Sequence, residues 1–331
     1  MSCLKKCVLV TGIGGNVGQG IIRIINSCYN DIKVIGTNIS DFSAGNHLVD
    51  VFYKVPFSFE DNYIEKIKQI VVHEGVDLVI PSTDFEAYYL TMSQQEISCK
   101  IASSDFEATK IYLDKYLTYQ FHKKQGFPFA ESCLPSEFYG QFNPAIAKPR
   151  TGRGSRDLIK YITSANGLSD EEYMIQKLYV GIEITTAIYV SYITKKLIGI
   201  INLERTLENG ATTYCKVVSS YNGKLKKIVQ EMLKVIDLKG SFNIQSIVTS
   251  DNEIYPFEIN CRISGTNSIR HHFGFKDVKY TIDELLYMKM PETISISEGV
   301  AYRYLADVIY TSNPVSGDNT DNYIIFYDYR L

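Results

Sequence analysis

The sequence predicts an α/β protein, in which a parallel, doubly wound sheet is followed by a part of mixed α+β character. Short, nearly continuous apolar segments at residues 5–11 and 76–81 are typical of buried parallel strands. Apolar residues at helical spacing follow at residues 21–25 and recur at residues 61–74. Strands that alternate with helices favour a parallel sheet with right-handed crossovers. Beyond residue 180, alternating apolar and polar residues indicate paired antiparallel strands instead.

Composition excludes several functional classes. The chain has 331 residues, enough for two or three domains, and a formal net charge of −3, which argues against a nucleic-acid partner held through phosphates. No apolar segment approaches 18 residues, so no membrane span is predicted. The seven cysteines are scattered without a C-x-x-C motif, and no secretory leader is recognised. A cytoplasmic protein with reduced thiols is expected.

A glycine-rich loop follows the first predicted strand. Gly12, Gly14 and Gly18 are spaced as in a dinucleotide-binding loop, where glycines let an anion approach a helix N-terminus. A dinucleotide site also needs an acidic residue at the end of the second strand, and Asn38 stands there, with Asp41 three residues on. Strand-to-helix packing or a substrate anion site is therefore favoured. A dinucleotide-binding oxidoreductase or redox-sensing protein remains an alternative.

A predicted hairpin supplies a cluster of oxygen-bearing side chains. Residues 242–249 and 253–260 alternate as strands, and residues 250–252 have turn chemistry. A turn centred near Asp251 places Gln245 opposite Glu258 in antiparallel register. Their side chains are then expected on one face of the sheet.

Asn260 and Arg262 continue the same alternation from Glu258. Carboxylate and amide oxygens suit Mg²⁺, which completes its coordination with phosphates and water. The arginine suits charge developing on a transferred phosphoryl group. The alternative for an isolated E-x-N-x-R pattern is the solvated face of an edge hairpin.

A second cationic element precedes the hairpin. A short strand at residues 145–148 ends in Lys148, and the loop after it reads PRTGRGSR. Backbone amides at Gly152, Gly154 and Ser155 can fold over phosphates, and the lysine offers a point charge. A solvated basic loop is the alternative.

Taken in order, these motifs resemble the ATP-grasp superfamily, in particular the branch that contains the carbamoyl phosphate synthetase large chain. The resemblance extends from the N-terminal α/β unit to about residue 290. It implies Mg²⁺, or Mn²⁺, held by Gln245, Glu258 and Asn260, with Lys148 and Arg262 in catalytic roles. Cys261 stands where the family usually has proline.

The resemblance also implies how ATP is bound. Lys115, which directly follows Asp114, corresponds to a lysine of the family that reaches the nucleotide phosphates. The sequence YMIQKL at residues 173–178 resembles the adenine hinge. The implied nucleotide contacts in the hinge are Gln176, Lys177 and Leu178, with Lys177 and Leu178 contacting adenine through backbone atoms. Glu183 is the implied ligand of the ribose. Lys177 occupies a position that is usually acidic in the family.

The implied domain organisation has three parts. Residues 1–103 form a Rossmann-like domain that precedes the ATP-grasp domain. Residues 104–290 form the ATP-grasp domain, with a lid subdomain at about 113–180 and a metal-binding core at about 181–290. Residues 291–331 are C-terminal strands that complete it.

The implied activity is that of an ATP-dependent ligase. It activates a small carboxylate, which is an amino acid, a sugar acid or bicarbonate, as an acyl phosphate that an amine or other nucleophile attacks. The expected substrate contacts come from both sides of the interdomain space: Arg205, Ser264, Arg270 and Glu86. An ATP-binding regulatory protein without turnover remains an alternative, and a homodimer is left open.

Overall fold

A parallel sheet of five strands forms the N-terminal part. The computed structural model describes residues 6–152, 157–208, 210–304, 306–310 and 323–325. The strands, in the spatial order β3-β2-β1-β4-β5, are β1 (Lys6–Val10), β2 (Ile32–Asn38), β3 (Val51–Lys54), β4 (Leu78–Ile80) and β5 (Lys100–Ile101). All the strand pairs are parallel, which confirms the predicted fold class for this part.

Helices cover this sheet as the apolar spacing predicted. They are α1 (Asn16–Cys28), α2 (Tyr63–Glu74) and α3 (Asp84–Met92). The buried isoleucines of α1, such as Ile21 and Ile25, pack with β-strand valines in one core. Thr83 caps α3 in a reciprocal capping box with Glu86. The N-terminal ends of α1 and α3 therefore lie at the carboxyl edge of the sheet, where ligands bind in such folds.

Two further helices connect this part to the rest. They are α4 (Phe106–Leu113) and α5 (Lys115–Gln125). Asp105 caps α4 by accepting from the N–H of Ala108. Asp114 caps α5 by accepting from the N–H groups of Tyr116 and Leu117.

A four-stranded sheet follows, with spatial order β6-β9-β7-β8. Its strands are β6 (Ser132–Cys133), β7 (Ala145–Pro149), β8 (Ile159–Lys160) and β9 (Tyr173–Lys177). β7 and β9 are antiparallel neighbours, and Lys148 pairs with Met174. This pairing places Lys148 and the hinge sequence on one small sheet.

A six-stranded antiparallel sheet forms the last layer, with spatial order β14-β13-β10-β11-β12-β15. Its strands are β10 (Ile182–Val190), β11 (Leu197–Glu208), β12 (Ala211–Val218), β13 (Gly240–Val248), β14 (Ile254–Asn260) and β15 (Val300–Tyr302). Gln245 pairs with Glu258, which confirms the predicted register of the hairpin.

The remaining elements are α6 (Asn222–Met232), α7 (Asn267–His272) and α8 (Asp277–Tyr287), with a separate strand pair, β16 (Val308–Tyr310) and β17 (Tyr323–Ile325). Within α8, the hydroxyl of Thr281 donates to the carbonyl of Asp277. Within the ranges described, no helix is both long and apolar enough to cross a membrane.

Candidate active site

One cavity of about 1230 Å³ lies between the three sheets. Its walls come from the N-terminal ends of α1 and α3, from the four-stranded sheet and from the β10–β14 region. Among the residues expected from the sequence, those that line it are Lys115, Lys148, Gly152, Gln176, Lys177, Leu178, Glu183, Arg205, Gln245, Glu258, Asn260, Arg262 and Ser264. Gly154 and Ser155 lie outside the described residues.

The predicted metal-binding side chains form one hydrogen-bonded chain. The Gln245 amide donates to Asn260 Oδ1 at 3.2 Å, and the Asn260 amide donates to Glu258 Oε1 at 3.1 Å. Pairing of β13 with β14 makes this possible, because alternation puts all three side chains on one face. The hairpin thus brings together the side chains of Gln245 and Asn260, which are 15 positions apart in the sequence.

Cations surround Glu258. Burial raises the pKa of this partly buried carboxyl group, but Lys115, the Asn260 amide, Lys148 and Arg262 outweigh burial and hold the pKa below its usual value. Glu258 therefore carries a full negative charge near neutral pH. A carboxylate in this environment can bind a cation without first losing a proton.

Lys148 is buried at the end of β7, with 8% of its surface exposed. Its ammonium group donates to Gln176 Oε1 at 2.7 Å and lies 4.5 Å from the centre of the Phe257 ring. The Gln176 amide donates in turn to the Ser132 hydroxyl at 3.2 Å. Gln176 therefore orients Lys148 from within the sheet, in addition to lining the cavity.

The pKa of Lys148 predicts a pH dependence for nucleotide binding. Burial lowers this pKa to about 8, although Glu258 opposes the shift. Well below this pKa, nearly all of the protein has Lys148 in the ammonium form, which attracts phosphates. This fraction falls as the pH rises through the pKa. We expect the affinity for Mg-ATP to fall above about pH 8, by at most about tenfold per pH unit. Calorimetric titrations from about pH 6.5 to about pH 9.5 would measure this change.

Lys148→Met is the control for that titration. Its affinity should be lower than that of the wild type below about pH 8 and should lack the loss above that pH. An equal loss in Lys148→Met would assign the titration to another group.

Lys115 begins α5 and faces the loop after β7. Its backbone N–H donates to the Arg150 carbonyl at 2.9 Å, and its ammonium group donates to the Gly152 carbonyl at 3.5 Å. The Arg150 side chain is ion-paired with Asp114, the residue that caps α5, at 2.6 Å. These contacts bring Lys115 to the cavity at the foot of the glycine-containing loop.

The backbone N–H groups of the hinge pair within the protein. The N–H of Lys177 donates to the Glu131 carbonyl at 2.8 Å, and the N–H of Leu178 donates to the Pro144 carbonyl at 3.0 Å. Both N–H donors are therefore engaged. The expected backbone contacts of these two residues with adenine stay a prediction. The Lys177 ammonium group turns to Glu131 at 2.8 Å. Tyr179 stacks on Tyr255 beside it, with ring centroids 3.8 Å apart.

Arg205 connects two predicted sites. Its guanidinium donates to Glu183, the expected ribose ligand, at 2.8 Å, and also to Gln245 Oε1. Its side chain is 10% exposed, so it is not a surface arginine. A nucleotide or metal ion bound to Gln245 Oε1 or Glu183 Oε1 would share that oxygen with the Arg205 guanidinium or displace it.

Glu86 and Arg270 do not line the cavity. Glu86 is 8% exposed and is used in the α3 capping box, where it accepts from the N–H of Thr83 at 3.0 Å. Burial raises the pKa of Glu86. Arg270 is fully buried and ion-paired with Asp277 at 2.6 Å. The prediction that these two residues contact a substrate is wrong, because helix capping and a buried ion pair already use their polar groups.

The comparisons with known proteins agree with this geometry. A family described as ATP-grasp domain matches residues 112–266, and one described as PylC-like, N-terminal domain matches residues 8–102. The chain contains an ATP-grasp domain. A curated relative, the carbamoyl phosphate synthase large chain of Clostridium acetobutylicum, is 25% identical over 79% of this chain. The chain spans only 27% of that relative's length.

Solved structures share the fold of the ATP-grasp domain and the sheet before it. N5-carboxyaminoimidazole synthetase from Staphylococcus aureus, complexed with ADP, has a TM-score of 0.73 and 15% identity, covering 91% of this chain and 83% of that one. Carboxyaminoimidazole ribonucleotide synthase from Aspergillus clavatus, complexed with ATP, has a TM-score of 0.70 and 17% identity, covering 92% and 82%. The biotin carboxylase domain of the Hydrogenobacter thermophilus 2-oxoglutarate carboxylase has a TM-score of 0.69 and 13% identity, covering 97% and 85%.

The ATP-grasp domain offers an oxygen-rich site that fits a divalent cation. Gln245, Glu258 and Asn260 supply hard oxygen atoms. Asp84 lies beside them: its Oδ2 accepts from Asn260 at 3.3 Å, and its Oδ1 is buried without a hydrogen-bond partner. In the described ranges no three His, Cys, Asp or Glu side chains form a metal-binding group. Metal binding would therefore depend on the two amides and on nucleotide phosphates.

Sequence reasoning missed the roles of several cavity residues. Asp84 accepts from Arg262 at 2.8 Å and so ties α3 to the end of the hairpin. The Phe257 ring makes a cation–π contact with the Lys148 ammonium group. Arg303, directly after β15, also lines the cavity. Position after a β-strand was the only sequence signal for Arg303, and it does not distinguish a cavity arginine from a surface one.

Proposed function

We propose that the protein is an ATP-dependent ligase that activates a small carboxylate as an acyl phosphate. The observation that carries this proposal is the convergence of Lys115, Lys148 and the Glu258 hairpin on one cavity in an ATP-grasp domain. These groups have the charges needed to hold nucleotide phosphates and a divalent cation. When bound, Mg²⁺ would offset phosphate charge during transfer.

The proposed reaction has two steps. A carboxylate oxygen of the substrate attacks the γ-phosphorus of ATP, the bond to the β-phosphate oxygen breaks, and ADP leaves. An amine or another nucleophile then attacks the acyl carbon, and inorganic phosphate leaves. In the proposed mechanism, Arg262 stabilises charge on the transferring group and Lys148 binds the phosphates in its ammonium form. Both side chains line the cavity.

Bicarbonate, an amino acid and a sugar acid remain the candidate carboxylates. Bicarbonate is supported by its presence in the solved biotin carboxylase domain that shares this fold. For the domains we propose the division at residues 103 and 290 given above, with the cavity between the N-terminal part and the ATP-grasp domain as the acceptor site. Ser264 stays a proposed acceptor contact, because it lines that cavity.

The glycine loop gives no support to the dinucleotide alternative. A Cβ on Gly14 would lie 2.9 Å from the Asn38 amide nitrogen, so the end of β2 packs directly on the loop. Asp41 is ion-paired with Lys54 at 2.6 Å. Asn38 has no carboxylate, and the carboxylate of Asp41 is already paired, so neither residue offers a free carboxylate for a ribose at the end of β2.

Thermal denaturation tests the choice of nucleotide. We expect Mg-ATP to raise the melting temperature and NADH to leave it unchanged, because a ligand stabilises only the state that binds it. At an ATP concentration about 100 times the Kd, linkage would add about 2.7 kcal/mol to the free energy of unfolding. Stabilisation by NADH without an effect of Mg-ATP would overturn the proposed function.

An assay of ADP release then separates a ligase from a regulatory protein. Carboxylates and amines would be added singly and in pairs to the enzyme with Mg-ATP. Release that depends on a carboxylate or bicarbonate is expected. Nucleotide binding without release under any pair would favour an ATP-binding regulatory protein.

A further inference from the structure

We propose that Arg303 binds an oxyanion, a carboxylate or a phosphate, on one of the two small-molecule substrates, at a point separate from the transferring phosphoryl group. This inference rests on the proposed function, since it assigns a second anionic group to a substrate of the ligase. It replaces Arg270, whose polar groups are used inside the protein. The substrate class that follows is a bifunctional anion, such as an amino acid or a phosphorylated amine.

Hydrogen bonds hold both the backbone and the guanidinium group of Arg303. Its backbone N–H donates to the Thr213 carbonyl at 2.8 Å, which continues the pairing of β15 with β12. Its Nη2 atom donates to the Gly265 carbonyl at 2.8 Å. One nitrogen of the guanidinium is thus fixed on the loop after the metal-binding hairpin, and the side chain is oriented before any substrate binds.

The charge of Arg303 is not balanced by the described part of the protein. Among the described residues, three arginines line the cavity: Arg205, Arg262 and Arg303. The first is ion-paired with Glu183 and the second with Asp84. Among the described residues, no acidic side chain forms an ion pair with Arg303, and its Nη1 atom is buried without a hydrogen-bond partner. An unsatisfied buried donor on a cation is costly, and an anion in the cavity would satisfy it.

A second positive element lies beside Arg303. The first residues of α1, from Asn16, line the same cavity, and this helix end has no side-chain cap and no acidic residue in its first turn. A Cβ built on Gly265 would lie 4.0 Å from Val17 Cγ2, and the Asn267 amide donates to the Val17 carbonyl at 3.0 Å. The loop that holds Arg303 therefore packs against the N-terminal end of α1, and both favour an anion at one place.

This position differs from the phosphoryl site. Arg262 and Lys148 are among the charged groups that act on Glu258, whereas Arg303 donates to the carbonyl of Gly265 on the loop after the hairpin. A guanidinium binds carboxylates and phosphates through paired donors. Nη1 of Arg303 has no hydrogen-bond partner in the described part of the protein. Arg303 is therefore a residue that determines substrate specificity.

The test measures anion binding directly. Wild-type protein and the variants Arg303→Met and Arg303→Lys would be saturated with a non-hydrolysable ATP analogue and Mg²⁺, which fills the γ-phosphate position. Inorganic phosphate and acetate would then be titrated separately, and the melting temperature followed. Arg23→Met is the matched control, because Arg23 lies exposed on the same helix whose N-terminal end meets the cavity. The titrations are repeated without the analogue.

We expect one of the two anions to raise the melting temperature of wild type, which identifies the oxyanion as phosphate or carboxylate. The apparent Kd for that anion should rise by about tenfold or more in Arg303→Met, rise less in Arg303→Lys and stay unchanged in Arg23→Met. Equal anion effects in Arg303→Met and wild type, or no effect of either anion on wild type, would overturn the inference.

Failure of the proposed function gives a different result. In that case the ATP analogue would not shift the melting temperature of any protein, while the titrations without the analogue would still decide whether Arg303 binds an anion. A shift by the analogue in Arg303→Met shows that this variant is folded.

Discussion

Glu258→Gln is expected to lower the rate of ADP release by at least about a hundredfold, since several kcal/mol of metal-dependent stabilisation correspond to such a factor. The substitution removes the carboxylate at the centre of Lys115, Lys148 and Arg262 while keeping its shape. Stability should change little, because the amide can keep a hydrogen bond to Asn260. The rate would be measured with saturating Mg-ATP and the stimulating substrates.

Glu253→Gln is the control for this experiment. Glu253 lies exposed just before β14 of the same hairpin and pairs with Lys224 at the surface. Its replacement should leave ADP release unchanged. If Glu258→Gln retained wild-type turnover, the hairpin would not be the metal site, and the proposed mechanism would need other ligands.

Arg270→Met is expected to destabilise the protein by about 3–5 kcal/mol, the usual effect of removing one partner of a buried ion pair. Arg270 and Asp277 are 0% and 1% exposed. The guanidinium also donates to the hydroxyls of Ser264 and Thr266 at 2.7 and 2.8 Å. Removing it leaves a buried carboxylate without its cation. Urea denaturation would measure the change.

Lys234→Met is the matched control, because Lys234 pairs with Glu231 on the surface of the protein. Exposed pairs contribute about 0–1 kcal/mol, so its effect should be small. A stable Arg270→Met protein with weaker binding of an acceptor would instead return Arg270 to the substrate site.

The hairpin of β13 and β14 shows what a local sequence pattern can predict. A strand has a side-chain period of two, and a short turn fixes the register of the strands it joins. Gln245, Glu258 and Asn260 therefore followed from spacing alone, and the pairing of Gln245 with Glu258 is confirmed. The role of these residues in metal binding stays a prediction.

The burial of charged residues could not be predicted in the same way. Glu86 and Arg270 are charged residues of the kind expected at a substrate site. Glu86 instead takes part in the capping box of its own helix, and Arg270 pairs with Asp277. Asp277 lies seven residues from Arg270, and a turn between α7 and α8 brings the two together.

The sequence by itself determined the parallel α/β unit, the order of the cationic strand end, hinge and hairpin, and the ATP-grasp character, because each depends on residues close together in the chain. Only the tertiary structure decided which charged groups face the cavity. Arg303, Asp84 and Glu258 come from distant segments, and their neighbours are set by the packing of three sheets. Burial and ion pairing depend on those neighbours, so an arginine that binds a substrate and an arginine that stabilises the core have the same appearance in the sequence.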